Sequence, residues 1–205
     1  ALSAPTEEGA LYEIDTKLRP SGSKGPVAVR LSSFMRYYVD EAWLWELQAL
    51  TRARPVAGDE ALAARAAEIV RGVLTRPRDA AIVCADVANM RGLMERERKS
   101  RSVWDLKLAP GGFVDIEFIA QALQLAHAAA HPEVLAVNTG DALSRLAANG
   151  VLGGQTAARL EQAWRMLGGL QQLLRICVEG DFTAEAALPA LHARLAAILG
   201  AATFE

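Results

Sequence analysis

Polar and apolar residues alternate between residues 11 and 19, which is the period of a β-strand with one buried face. The alternation predicts a strand that ends at Pro20. One face of this strand carries, in order, Glu13, Asp15, Lys17 and Arg19. The loop that follows contains Gly22, Lys24 and Gly25, and such a loop lets backbone N–H groups approach an anion closely.

The charged face of this strand has two interpretations. A carboxylate at Asp15 beside cations at Lys17 and Arg19 suits a divalent metal ion and a phosphate chain. The alternative is an edge strand with a solvated face, followed by a tight turn, because alternating strands of this kind are common. The alternation alone leaves both interpretations open.

Most of the remaining chain has apolar residues at steps of three and four, which is typical of amphipathic helices. One long helix is predicted from Ser32 or Ser33 to about Thr51. Asp59 and Asp79 are predicted to cap the next two helices. Four further helices are predicted to begin near residues 115, 139, 156 and 184, and Pro189 either kinks the last of these or marks its true start. Because the connections are short, we expect neighbouring helices to be antiparallel.

Residues 103–112 interrupt the helical pattern. Trp104, Leu106 and Leu108 alternate with Asp105 and Lys107, which predicts a short strand. The Pro-Gly-Gly sequence that follows predicts a forced turn into the next helix.

Composition and charge narrow the class of protein. The chain has 205 residues, of which 52% are hydrophobic but only 6% aromatic, and this profile indicates a helix-rich protein. A net charge of −2 with mixed signs argues against a nucleic-acid-binding surface. No run of about 18 apolar residues is present, and no secretory signal opens the chain. We therefore expect a cytoplasmic protein that binds neither nucleic acid nor a membrane.

The cysteines and tryptophans are expected in the core. Cys84 and Cys177 lie far apart in helical patterns, so we interpret them as small buried residues rather than a disulfide or a metal site. The four tryptophans are likewise expected to pack in the core rather than to contact a ligand: Trp43, Trp45, Trp104 and Trp164.

The beginning of the chain suggests that it is incomplete. It has no initiator Met, and a loop leads directly into the predicted strand. A lone strand is not stable in water. We therefore expect either that residues 1–30 pair with later elements or that the chain is a piece of a larger protein.

Three sequence blocks, at residues 12–26, 41–59 and 105–121, together resemble one bacterial family. They are similar to bifunctional glutamine synthetase adenylyltransferase, also called glutamate-ammonia-ligase adenylyltransferase. That family has two nucleotidyltransferase halves, each followed by a helical bundle. The sequences Trp43-Leu-Trp45-Glu46 and residues 111–117 are more similar to the C-terminal, adenylylating half than to the deadenylylating half.

The resemblance implies transfer of AMP from ATP to a tyrosine of glutamine synthetase, and its removal, under the control of a PII signalling protein. It also implies a mainly α fold, in which a helical bundle follows a strand remnant of a polymerase-β-like nucleotidyltransferase domain. The expected domains are residues 1–58, the C-terminal part of the nucleotidyltransferase domain, and residues 59–205, the helical bundle.

The resemblance also implies a catalytic residue. A Gly-Ser loop, an Asp-x-Asp pair and a third Asp form the family's site, which uses Mg²⁺ ions, and the third Asp corresponds to Asp15. The first two motifs have no counterpart before residue 11, so we expect the isolated chain to lack a complete active site. Lys17, Arg19 and Lys24 are expected to neutralise phosphate charge. The family usually has Arg at the position of Lys17, and this departure replaces a guanidinium fork with a point charge.

Two other functions stay open. The helical bundle could serve as a docking module for glutamine synthetase or PII, and the chain could instead come from a related PII uridylyltransferase. For Lys107, Asp115 and Glu117, the alternatives are shaping a strand–turn–helix joint or lining the seam between the catalytic and helical domains.

Overall fold

A computed structural model describes residues 7, 9, 15–100, 102–178, 180, 182–184 and 187–202. Over these residues the protein is mainly helical, which confirms the expected mainly α fold. Eight α-helices are present in the described part of the chain, in the order α1 Leu31–Asp40, α2 Leu44–Leu50, α3 Glu60–Leu74, α4 Ala80–Glu97, α5 Phe113–His127, α6 Thr139–Ala148, α7 Gly154–Cys177 and α8 Pro189–Leu199.

The chain divides into two compact units, Ala1–Leu74 and Thr75–Glu205. The first unit therefore includes α3 as well as α1 and α2. The domain boundary expected between residues 58 and 59 concerns the extent of the catalytic domain rather than compactness, and it stays a prediction. None of the helices in the described residues combines the length and the hydropathy needed to cross a membrane.

The long helix predicted from Ser32 or Ser33 to Thr51 is broken in two. Both Glu41 and Ala42 donate their backbone N–H groups to the carbonyl of Tyr37, at 2.9 Å each, and this ends α1. The Glu46 carboxylate then accepts the backbone N–H of Trp43 at 2.9 Å, which caps the start of α2. The apolar periodicity runs through the break, so it could not reveal the new helix start.

Two predicted helix caps are confirmed. Asp59 accepts the backbone N–H of Leu62 at 2.8 Å, at the start of α3. Asp79 accepts the N–H groups of Ala81 and Ile82 at 2.8 and 3.2 Å, at the start of α4. These aspartates satisfy donors that the first helical turn leaves unpaired.

Two further helix starts agree with the predicted positions, at Thr139 for α6 and at Pro189 for α8. The cap of α6 is Asn138, whose side-chain oxygen accepts the N–H groups of Gly140 and Asp141 at 2.8 and 3.3 Å. The last helix begins at Pro189, the second of its two predicted starts. Proline suits the first turn of a helix because its missing N–H would have no helical partner there.

The core of the second unit lies between α5, α6 and α7. Its buried residues are Phe113, Ile116, Ala120, Ala142, Leu143 and Leu167. Trp164 packs against this cluster, with its ring centroid 4.9 Å from that of Phe113 in an edge-to-face arrangement. A smaller cluster of Ala128, Val134 and Leu146 continues the core beside it.

The strand predicted at residues 104–108 is wrong, because this segment consists of turns. Asp105 accepts the backbone N–H of Leu108 at its side chain, at 3.1 Å, and that of Ala109 at its carbonyl, at 2.8 Å. Local hydrogen bonds of this kind offer the backbone an alternative to a strand ladder. A two-residue alternation over so few residues does not distinguish a strand from a series of turns.

Several residues expected in the core are exposed. Trp43 and Trp45 are 72% and 41% exposed, because the break between α1 and α2 removes them from a continuous apolar stripe. Both cysteines are also exposed. Cys84 follows the buried Val83 and so lies on another side of α4, and Cys177 is the last residue of α7.

Candidate functional site

The predicted catalytic residue, Asp15, lies in an irregular segment before the first turn. The strand predicted up to Pro20 is wrong over residues 15–19, because residues 15–17 have no regular structure and residues 18–19 form a bend. Positions 11–14 of the predicted strand lie outside the described residues. Asp15 is exposed, and its carboxylate accepts the backbone N–H of Lys17 at 2.8 Å. This side-chain-to-backbone bond bends the chain locally instead of keeping it extended.

Arg19 closes the loop that follows. Its guanidinium donates to the carbonyl of Gly25 through Nε at 3.3 Å and through Nη2 at 3.1 Å, and also to the carbonyl of Thr16. Arg19 therefore holds both ends of the loop together. Its expected contact with phosphate stays a prediction, and the geometry gives it a clear role in shaping this segment.

The backbone of the loop is bonded to itself. The N–H groups of Gly22, Lys24 and Gly25 donate to the carbonyls of Arg19, Ser21 and Gly22 at 2.8, 3.2 and 3.2 Å. These three groups therefore do not form the anion cradle that the glycine pattern suggested. The side chains of Lys17 and Lys24 are both exposed at the surface of the segment.

One glycine of this loop is required by close packing. A Cβ atom at Gly25 would lie 2.2 Å from the backbone carbonyl oxygen of Pro20, which is far inside contact distance. Pro20 is itself buried, so it has little room to retreat. The loop is thus a compact turn with a fixed shape rather than an open, flexible phosphate loop.

A buried carboxylate connects the first two helices through Tyr37, which also contacts the backbone of this loop. The Tyr37 hydroxyl donates to Oε1 of Glu46 at 2.6 Å, and Glu46 is 6% exposed. Burial and the hydrogen bond to Glu46 raise the pKa of Tyr37, while a backbone hydrogen bond from Ser21 lowers it. The sequence signal for this network was Glu46 three residues after Trp43, the spacing of a capping box.

Magnesium does not fit the described residues on their own. The ion is bound by several oxygen ligands, and two such ions need more than one carboxylate. The described part of the chain contains no group of three or more His, Cys, Asp or Glu side chains placed to hold a metal ion. A metal-binding role for Asp15 therefore depends on further carboxylates and stays a prediction.

A second cluster surrounds Asp115 in the other unit. Its carboxylate accepts a hydrogen bond from Nε–H of Arg91 and another, at 2.6 Å, from the backbone N–H of Gly111. Arg91 also donates to the carbonyl of Leu108 at 3.2 Å. The hydrogen bond to Asp115 raises the pKa of Arg91 further. Asp115 therefore ties α4 to the turn that precedes α5.

Arg91 is a residue that the sequence analysis missed. Arg91 is the first residue of a charged run at residues 91–101, and such a run predicts a solvated helix end. Its side chain is nevertheless only 15% exposed. The signal was its position four residues after the buried Val87, on the inner face of α4.

The Gly-Gly pair explains the shape of this turn. Gly111 has a φ of +78°, a conformation that favours glycine. A Cβ atom at Gly112 would lie 2.6 Å from the carbonyl oxygen of Leu106 and 2.8 Å from that of Ala109.

Lys107 contributes its backbone carbonyl, which accepts the N–H of Val114 at 3.2 Å, and its side chain is exposed. Glu117 is half-buried in the first turns of α5.

Two family models match the chain. Residues 1–69 match the family described as glutamate-ammonia ligase adenylyltransferase. Residues 86–201, more than half of the chain, match the family described as GlnD PII-uridylyltransferase. The first match includes Asp15 and the loop, and the second includes the Asp115 cluster.

Curated relatives cover both matched regions in one protein. The bifunctional glutamine synthetase adenylyltransferase/adenylyl-removing enzyme of Caulobacter vibrioides is 52% identical over 100% of this chain. The enzymes of the same name from Rhodopseudomonas palustris strain BisB5 and Rhizobium meliloti are 49% and 47% identical over 91% and 89% of the chain. The aligned parts are 21%, 19% and 19% of these relatives, so the chain spans about a fifth of their length.

Proposed function

This chain belongs to the glutamate-ammonia ligase adenylyltransferase family, and residues 86–201 belong to the GlnD PII-uridylyltransferase family; on that premise we propose its function. The chain acts as part of an enzyme that transfers AMP from ATP to a tyrosine of glutamine synthetase and removes it again. The observation that carries this proposal is the 52% identity, over the whole chain, to an enzyme named for both activities.

The first unit contributes to the chemistry in this proposal. Asp15 is the catalytic carboxylate and, together with further carboxylates, would hold magnesium, which when bound would stabilise charge on the transferring phosphoryl group. Exposed side chains at Lys17 and Lys24 are available to neutralise phosphate charge. Arg19 acts indirectly, because its hydrogen bonds to Thr16 and Gly25 keep these groups on one compact loop. The remaining carboxylates of the site lie outside the residues that the structure describes.

The proposal also covers partners and location. Glutamine synthetase is the protein substrate, and PII is the protein that signals nitrogen status to the enzyme. ATP supplies the adenylyl group, and the reaction takes place in the cytoplasm. In this account the second unit, in which Asp115 connects α4 to the turn before α5, is the helical part that follows the catalytic segment.

A second candidate function rests on the second family match. Residues 86–201 match a PII-uridylyltransferase model, so uridylyl transfer to PII is the competing reaction. We favour adenylyl transfer because relatives named for it align with the catalytic segment and the helical unit together. A pure docking module is the third possibility, in which Asp15 takes no part in chemistry.

The experiment that separates these functions is a segment exchange. This chain replaces the aligned fifth of the Caulobacter vibrioides enzyme, and the chimera is incubated with Mg²⁺ and radiolabelled ATP or UTP. Adenylyl transfer predicts that label from ATP enters glutamine synthetase at a rate within about tenfold of the parent enzyme. Transfer from UTP to PII instead would support the second candidate.

A pure docking role makes a different prediction for the same chimera. If the segment only docks a partner, substitution of Asp15 by Asn leaves the transfer rate unchanged. If it carries chemistry, that substitution lowers the rate by a factor of 100 or more, whereas the matched substitution of the exposed Asp40 by Asn does not.

A further inference from the structure

An open groove lies on the second unit, between the turn at residues 102–107 and the C-terminal part of α7. We call it the Trp104 groove, and the side chains that give it its chemistry are Trp104, Asp105, Lys107, Gln171, Arg175 and Phe182. Its volume is about 660 Å³, which is within the range of sites for small organic ligands. The groove uses no residue of the first unit.

Aromatic rings form one wall of the Trp104 groove. The ring centroids of Trp104 and Phe182 are 4.6 Å apart, and the ring planes meet at 72°. Both residues are half-buried, so each keeps part of its surface exposed toward the groove. Such rings bind planar heterocycles well, because stacking is favourable for every nucleic-acid base.

Two cations lie among the described residues that line the rest of the groove. Lys107 comes from the turn and Arg175 from the last turns of α7, and both are exposed. The described lining residues include one acid, Asp105, whose carboxylate already accepts the N–H of Leu108 at 3.1 Å. Two cations against one engaged carboxylate favour an anionic ligand, and a guanidinium fork suits a phosphate in particular.

Polar groups beside the rings can form hydrogen bonds with the sugar of a ligand. Asp105 and Gln171 both line the groove and are half-buried. A carboxylate oxygen accepts hydrogen bonds from sugar hydroxyls, and an amide both donates and accepts. The groove therefore combines aromatic rings for a base, cations for a phosphate and polar groups for a sugar, which are the three parts of a nucleotide.

We propose that the Trp104 groove binds a phosphorylated nucleoside. The base packs against Trp104 and Phe182, and the phosphate contacts Lys107 and Arg175. This inference goes beyond the proposed transfer reaction, since it assigns a nucleotide site to the helical unit and needs neither Asp15 nor a metal ion.

The test is a titration of the 205-residue chain with AMP in a buffer that contains EDTA. Calorimetry and tryptophan fluorescence are expected to show saturable binding. Adenosine and inorganic phosphate, which each lack one half of the ligand, are expected to bind at least tenfold more weakly. Lys107→Gln and Arg175→Gln are each expected to weaken AMP binding about 5- to 20-fold, the size expected for one charge-assisted contact.

A matched control lies on the same helix. Arg165 of α7 is exposed and pairs with Glu161, outside the groove lining. Arg165→Gln removes the same charge and is expected to leave AMP binding unchanged. All three variants replace exposed side chains, and circular dichroism checks that each is folded.

Three results would overturn the proposal. These are no saturable AMP binding, binding by Lys107→Gln and Arg175→Gln equal to that of the wild type, and phosphate alone binding as tightly as AMP. Asp15→Asn is expected to bind AMP normally in EDTA. The nucleotide site and the transfer reaction can therefore fail independently.

Discussion

Arg91 of α4 and Asp115 of α5, 24 residues apart in sequence, form an ion pair that also fixes the turn between their helices. Both side chains are largely buried, at 15% and 26% exposure. Because the same carboxylate also binds the N–H of Gly111, it couples helix packing to turn geometry. This arrangement makes the third sequence block a structural joint of the second unit.

Removing the charge of Asp115 should destabilise that unit. We expect Asp115→Asn to lower the free energy of unfolding by about 1–3 kcal/mol, because a buried guanidinium loses its charged acceptor. Urea denaturation followed by circular dichroism measures the change. Arg165→Gln, which breaks an ion pair at its exposed end, should cost less than about 0.5 kcal/mol. Equal losses in the two variants would contradict the structural role of Asp115.

The turn before α5 should not tolerate a side chain at Gly112. In Gly112→Ala the new Cβ would lie 2.6 Å from a backbone carbonyl oxygen, so we expect a loss of more than about 2 kcal/mol in unfolding free energy. Gly168 provides the control, since it is within α7 and a Cβ there meets no atom within 4 Å. Gly168→Ala should raise stability by about 0.5–1 kcal/mol. A stable Gly112→Ala variant would show that the turn adapts.

The loop at residues 19–25 should open when Arg19 is changed. Arg19→Gln removes the guanidinium bonds to Thr16 and Gly25, so cleavage after Lys24 by a lysine-specific protease should become several-fold faster. Arg30→Gln, which alters an exposed cation outside the loop, should leave the rate unchanged. Equal cleavage rates for Arg19→Gln and the wild type would mean that the backbone bonds alone close the loop.

Alkaline pH should weaken the fold through Tyr38. Burial, followed by the charges of Glu46 and Tyr37, raises the pKa of Tyr38 to about 12, against about 10 in an unfolded chain. The folded state therefore keeps this proton longer, and its contribution to stability is complete below pH 10 and is lost as pH rises toward 12. Unfolding free energies at pH 8 and pH 11 should differ less in Tyr38→Phe than in the wild type. An unchanged difference would exclude Tyr38 as the group responsible.

The sequence predicted most of the helical fold but not its breaks. Helical periodicity and the caps Asp59 and Asp79 are local signals, and both were correct. The break at residues 41–43 depends on Glu46 satisfying the N–H of Trp43, which competes with an uninterrupted apolar stripe. At Asp105 a side-chain hydrogen bond replaced a predicted strand, and alternation alone does not reveal such competition.

The candidate site was predictable in identity but not in geometry. Resemblance pointed to Asp15, Lys17, Arg19 and Lys24, yet it gave no indication that Arg19 binds backbone carbonyls. Arg91 was overlooked because a charged run usually marks a solvated helix end. Its partner is distant in sequence, so only the fold brings the two together.

The most direct test of the account is the rate of AMP transfer by the chimeric enzyme that carries Asp15→Asn in this segment. With Mg²⁺ and labelled ATP, we expect incorporation into glutamine synthetase to fall at least 100-fold, while Asp40→Asn stays near the unsubstituted chimera. Thermal unfolding of both variants verifies that they fold alike. Transfer at the unsubstituted rate by Asp15→Asn would contradict the assignment of Asp15 as the catalytic carboxylate.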